Sequence, residues 1–104
     1  MLHAYMFMQS GIPVLYSGDE IGQVNDYTYK DDPNKAADSR YLHRGAMNWK
    51  RAELVKDTDT VEGKMFQGLK QLEQIRKSEK VFVSNADAWT IETGDPSVVY
   101  RQIP

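Results

Sequence analysis

The chain has 104 residues, 40% apolar and 27% charged, with a formal net charge of −2 and no cysteine. These values suit one small folded domain. They exclude disulfides and cysteine-based metal sites or nucleophiles, and without a basic run they argue against a nucleic-acid partner.

Leu2-His3-Ala4-Tyr5-Met6-Phe7-Met8 predicts a helix that is apolar on nearly every side, the pattern of a helix covered by several neighbours. It has no basic lead-in and no small-x-small cleavage pattern, so it does not read as a signal peptide. Nor does any apolar run approach the roughly 20 residues of a membrane span, so no membrane partner is expected. His3 has no assisting group at helical spacing and reads as a packing residue, and the methionines read as core filling. An apolar helix that opens without a cap leads to the expectation of a piece cut from a larger fold.

Gly11-Ile12-Pro13 ends that helix, because proline lacks an N–H and pushes its predecessor toward extended backbone. Val14-Leu15-Tyr16 is short and continuously apolar, which predicts a strand buried on both faces, as in a parallel sheet. Ser17-Gly18-Asp19-Glu20 then falls at the strand's C-terminal end, where α/β folds carry their working polar residues. Asp19 and Glu20 are adjacent and would point to opposite sides, so they do not flank one bond as a general acid and base must. Capping or hydrogen bonding to loop backbone is their expected job.

Residues Gln23 to about Asp57 form a long polar segment with a turn at Asp32-Pro33-Asn34 and room for a turn or two of helix from Lys35 to Leu42. Loops of this length are usually functional. Asn25-Asp26 with Asp31-Asp32 invites comparison with a calcium site, but the spacing lacks the alternating ligands, mid-loop glycine and terminal glutamate of an EF-hand. The segment reads as a solvated acidic loop; no metal and no cofactor are assigned.

Val61, Met65, Phe66, Leu69, Leu72 and Ile75 recur at helical spacing, which predicts an amphipathic helix from Thr60 to Ser78. Asp59 stands at the expected N-cap with Glu62 three residues on, a capping-box pattern. Glu73 and Lys77 are at i,i+4. Gly63 and Gly68 weaken the helix unless they permit close packing. Beyond it, Ala88–Glu92 and Val98–Ile103 read as strands joined by a turn at Thr93–Ser97, giving a β-hairpin.

The order helix, strand, long loop, helix is one repeat of a (β/α)8 barrel, with the loop on its catalytic face. The expected architecture is therefore an α/β fragment, mainly helical with few strands. Residues 1–80 would be the end of the barrel, and residues 81–104 the start of an all-β domain.

Gly11-Ile12-Pro13-Val14-Leu15-Tyr16-Ser17-Gly18-Asp19-Glu20-Ile21-Gly22 resembles the eighth barrel strand and its exit in the α-amylase superfamily, glycoside hydrolase family 13. Asn25-Asp26-Tyr27, Asp32-Pro33-Asn34-Lys35, Asp38-Ser39-Arg40, His43-Arg44 and Met47-Asn48-Trp49 together resemble the amylosucrase and sucrose hydrolase branch. The resemblance runs from Leu2 to about Lys80. Gly45 stands where proline is common in that branch, and Asn48 where aspartate is common.

The resemblance implies a retaining enzyme acting on α-glucosidic bonds, with sucrose or an α-glucan as substrate. Such chemistry needs two closely spaced carboxyls, one ionised to attack and one protonated to assist departure. In the family these groups and a stabilising aspartate lie on earlier strands, so no catalytic residue is assigned here and the 104-residue chain is expected to be inactive. One substrate-binding residue carries over. Arg40 resembles the arginine that closes the glucose subsite by pairing with an aspartate from the first barrel loop, a job suited to a planar bidentate fork. Tyr41 and His43 are expected to pack the loop.

Two other readings stand beside this one. One is a relative acting on α-1,4- or α-1,6-linked oligosaccharides or trehalose. The other is a small non-enzymatic domain that binds a partner or carbohydrate through Tyr27, Tyr29, Tyr41 and Trp49. If the apolar faces of Val14–Tyr16 and the long helix lack their barrel neighbours, self-association into an oligomer is expected.

Overall fold

A computed structural model describes residues 2–82 and 93–95 of the chain. The described residues are mainly helical. Three α-helices, α1 (Leu2–Met8), α2 (Trp49–Ala52) and α3 (Val61–Ser78), are accompanied by five short 3-10 turns, with no β-strand among them. No helix of the described residues is long and apolar enough to cross a membrane. The chain divides into two units, residues 1–14 with 68–104 and residues 15–67.

In the first unit, α1 forms over the apolar run, but only Phe7 is buried; Leu2, Tyr5 and Met8 are exposed. The expected all-round burial is therefore corrected: one face is covered. The C-terminal end of α1 is held by Arg76, in the last turn of α3. Its Nη1 donates to the carbonyls of Phe7 and Gln9, the latter at 2.9 Å, and its Nη2 donates to Gly11 O. The last carbonyls of a helix have no acceptor role inside it, and a cation at that end also opposes the helix dipole. One guanidinium thus serves a carbonyl in the last turn of α1 and two more in the residues that follow it.

The predicted strand Val14–Tyr16 is not formed. Residues 12–16 have no regular structure, and Val14 is 75% exposed. A strand needs a neighbour to receive its N–H and C=O groups, and no described segment pairs with this one.

The second unit begins where that segment turns. Gly18 has φ of +105°, a conformation that disfavours any side chain, and its carbonyl accepts from Ile21 N and Gln23 N. The turn folds Ile21 inward to 2% exposure, and the adjacent Gly22 lies where a Cβ would sit 3.3 Å from Met65 Cγ.

The helix predicted over Thr60–Ser78 is observed at Val61–Ser78, with a different cap. Thr60 Oγ1 accepts from Gly63 N at 3.0 Å, so Thr60 fills the place expected of Asp59. Glu62 leaves the capping box altogether. It is buried to 7% exposure and accepts from Arg51 Nε at 2.5 Å. Of the apolar stripe, Leu69 is buried, Met65, Phe66 and Leu72 are half-buried, and Val61 and Ile75 at its ends are exposed.

The predicted hairpin strands, Ala88–Glu92 and Val98–Ile103, lie outside the described residues. Between them Gly94 has φ of +78°, and Thr93 Oγ1 accepts from Asp95 N at 3.3 Å, a turn geometry.

The two helix glycines differ in kind. A Cβ on Gly63 would stand 1.9 Å from Asp57 O, whereas one on Gly68 would meet nothing within 4 Å. Gly68→Ala is therefore expected to stabilise the chain by about 1 kcal/mol through helix propensity. Gly63→Ala is expected to destabilise it by about 2 kcal/mol, because the segment before α3 must move. Urea-unfolding midpoints of the two variants check the opposite signs.

Candidate functional site

The long polar segment is built from aspartates that each accept the backbone N–H two residues on. Asp26 Oδ1 accepts from Thr28 N at 2.9 Å and Thr28 Oγ1 at 2.6 Å, starting the turn Tyr27–Asp31. Asp32 Oδ1 accepts from Asn34 N at 2.9 Å, closing the expected Asp-Pro-Asn turn. Asp38 Oδ1 accepts from Arg40 N at 3.0 Å and starts the turn Ser39–His43, the helical element anticipated between Lys35 and Leu42 but shifted onward. Asp57 does the same for Asp59 N. A carboxylate closes such turns readily because it is a short side chain with two acceptor oxygens.

Cross-links within the unit draw the ends of this segment together. Gln23 Nε2 donates to Gly45 O at 3.2 Å, and Asp26 N donates to Leu42 O at 2.9 Å. A Cβ on Gly45 would lie 3.0 Å from Asp26 Cβ, so glycine here permits a close approach in addition to loosening the loop. Asn48 Oδ1 accepts from Arg51 N at 3.1 Å, so the asparagine caps α2 without the charge of aspartate.

The result is a groove of about 450 Å³ within the unit. It is lined by the turn Tyr16–Asp19, by Gln23–Asn25, and by Arg40, His43 and Arg44. Arg40, the one substrate-binding residue expected, is among the residues that line this groove. Within this chain its partner is Asp38: Nε donates to Oδ1 at 2.8 Å and Nη2 to Oδ2 at 2.8 Å. This bidentate pair fixes the guanidinium plane although the Arg40 side chain is 73% exposed. Three of its five N–H donors, two on Nη1 and one on Nη2, have no acceptor among the described residues.

The remaining lining residues divide by role. His43 Nδ1 lies 3.1 Å from Asn25 Oδ1; with Nδ1 as donor, Nε2 holds the lone pair of the neutral ring. The Arg44 guanidinium lies 5.6 Å from the centre of the Tyr41 ring, within cation–π range, and Lys35 Nζ lies 5.7 Å from the same ring. Tyr41 thus packs the loop as expected, whereas His43 lines the groove.

Asp19 and Glu20 do the backbone work expected of them: Asp19 Oδ2 accepts from Tyr16 N at 3.1 Å, and Glu20 Oε2 from Gly18 N at 2.8 Å. Asp19 is the one carboxylate in the lining. Among the described residues no group of three or more histidines and carboxylates is placed to hold a metal ion. Asp26 and Asp32, weighed for calcium, spend oxygens on their own turns.

Sequence reasoning missed Asn25, Gln23 and Arg44 as lining residues and Asp38 as the partner of Arg40. The aspartate spacing was a usable signal for Asp38, since Asp with a backbone donor two residues on is a turn former. No local signal marks Gln23, whose acceptors lie more than twenty positions along the chain. No protein-family model matches the chain.

The turn-closing hydrogen bonds favour the ionised carboxylates. Asp38 is held down to about 2 from an ordinary 3.8, first by the Arg40 side chain and then by the Arg40 N–H. Asp26 is lowered chiefly by the Thr28 hydroxyl and N–H, and Asp32 by Asn34 N–H. A group depressed in the folded state contributes stability above its unfolded pKa and loses it as pH falls through the folded value. The Ser39–His43 turn is therefore expected to hold at pH 5 and to loosen between about 4 and 2. A carboxyl-carbon NMR titration checks this, with Asp38 titrating near 2 and Asp38→Asn removing the associated change at Arg40 Nε.

Proposed function

We propose that this chain supplies the loop after the eighth barrel strand of a retaining enzyme acting on α-glucosidic bonds. The enzyme belongs, in this reading, to the amylosucrase and sucrose hydrolase branch of the α-amylase superfamily, with sucrose or an α-glucan as substrate of the whole enzyme. The serial motifs from Asn25 to Trp49 support it. The observation that carries it is the geometry of Arg40, which lines a groove of about 450 Å³ and whose fork is held on one edge by Asp38, leaving three N–H donors without an acceptor among the described residues.

The division of labour follows from the chemistry. Retaining cleavage needs two carboxyls about 5 Å apart, one ionised and one protonated. The groove lining has Asp19 alone, already engaged with Tyr16 N. Arg40 therefore binds and orients, and the bond-breaking carboxyls belong to the preceding strands of the proposed enzyme. A guanidinium whose plane is already fixed loses less conformational entropy on meeting sugar hydroxyls, so its hydrogen bonds cost less to make.

The purified 104-residue chain is expected to release no glucose from sucrose; measurable cleavage would overturn the assignment of the reacting groups. In an enzyme carrying this sequence behind its catalytic strands, Arg40→Ala is expected to raise KM for sucrose about tenfold or more, the value of a hydrogen bond to a charged donor. Arg40→Lys is not expected to restore it, because a point charge does not reproduce the fork. Comparing turnover of sucrose with that of maltose and isomaltose separates this branch from the relatives acting on other α-linkages.

The exposed apolar side chains of Ile12, Val14, Tyr16, Val61 and Ile75 support self-association of the chain in isolation. A dimer or larger species is expected in sedimentation velocity at micromolar concentration, and a monomer at that concentration counts against it.

A further inference from the structure

We propose that the groove is also an oxyanion site, taking a phosphate monoester of hexose size with Arg40 and Arg44 clamping the phosphate. The inference goes beyond the α-glucosidic reading, since that reading uses Arg40 alone and gives no role to the second guanidinium of the same lining.

The lining is rich in donors that lack acceptors. Arg40 has three such N–H groups, and the exposed Arg44 guanidinium makes no hydrogen bond or ion pair among the described residues. Arg44 is instead held over the Tyr41 ring at 5.6 Å, which orients it without consuming its N–H donors. Asn25 accepts from His43 through Oδ1, which leaves its amide N–H donors for a ligand, and Ser17 adds a hydroxyl.

The acceptors in the groove are fewer and mostly occupied. Asp19, the one carboxylate of the lining, turns Oδ2 onto Tyr16 N, and Asp38, behind Arg40 and outside the lining, is bound on both oxygens by that guanidinium. The two guanidiniums are balanced in formal charge by Asp38 and by Asp19 in the lining, so Arg40 and Arg44 act on an anion through directed N–H donors and not through a net positive charge. Two planar guanidiniums match the tetrahedral oxygens of a phosphate, which accept paired N–H bonds. With His43 Nδ1 donating to Asn25 Oδ1, Nε2 is the ring nitrogen left to meet a sugar hydroxyl. A volume of about 450 Å³ leaves space for a hexose next to the phosphate.

The test is calorimetric titration of the full 104-residue chain with inorganic phosphate, glucose 6-phosphate and glucose, followed in parallel by the Arg Nε–H signals in NMR. Both phosphates are expected to bind and to shift the Arg40 and Arg44 signals, the ester more tightly, with glucose weaker than either. Arg44→Gln is expected to weaken both phosphates about tenfold or more, and Arg40→Gln likewise. Lys64→Gln, outside the groove, should leave both affinities unchanged. Equal binding of glucose and glucose 6-phosphate, or unchanged phosphate affinity in Arg44→Gln, would overturn the proposal while leaving the α-glucosidic reading standing. Absence of phosphate binding would overturn it outright.

Discussion

A carboxylate oxygen that accepts the backbone N–H two positions ahead is the interaction on which the polar half of this chain depends. Asp26, Asp32, Asp38 and Asp57 each make it. A segment without strands must still place its N–H groups, and water alone would leave it without one conformation. The aspartates supply acceptors from inside the segment, each setting the entry to a tight turn. The same contacts lower the proton affinity of Asp26, Asp32 and Asp38, so turn geometry and ionisation are one phenomenon.

Asp38 shows how a structural device becomes a functional one. One oxygen closes the turn through Arg40 N, and both oxygens grip the Arg40 guanidinium. The side chain is thereby aimed by the residue that shaped its backbone. The aspartate anticipated from elsewhere in a barrel would meet the opposite edge of the fork, which stays available. The cross-links from Gln23 to Gly45 and from Asp26 to Leu42 then bring Arg40, His43 and Arg44 to the turn at Tyr16–Asp19.

The α-helices rest on a different economy. Two arginines carry much of it: Arg76 donates to the Phe7 carbonyl in α1 and to the Gln9 and Gly11 carbonyls beyond it, and Arg51 neutralises the buried Glu62. Glu62 is held in its ionised form first by its own backbone N–H and then by Arg51. Removing Arg51 would leave a buried charge without its partner, the costly case for any ion pair. Gly63 lets α3 begin against the carbonyl of Asp57, and Gly68 has no such duty.

Helical periodicity made α3 legible to within a residue, and the apolar run made α1 legible in the same way, because both signals lie within a few turns of one chain segment. The turn at Asp32-Pro33-Asn34 and the backbone duty of Asp19 and Glu20 were legible for that local reason. The pairing of Arg40 with Asp38 was not read from the sequence, although the two-residue spacing of a turn-forming aspartate was there to read. What local pattern could not specify was everything that needs a second segment. Val14–Tyr16 has the composition of a buried strand, yet a strand exists only where a neighbour accepts its hydrogen bonds. Thr60 displaced Asp59 as cap, and Glu62 turned to Arg51, because the approach of residues 51–57 to α3 determined which acceptor met which donor. The groove belongs to the same class: its residues come from three separated stretches, and the hydrogen bonds of Gln23 and Asp26 across more than fifteen positions are what assemble them.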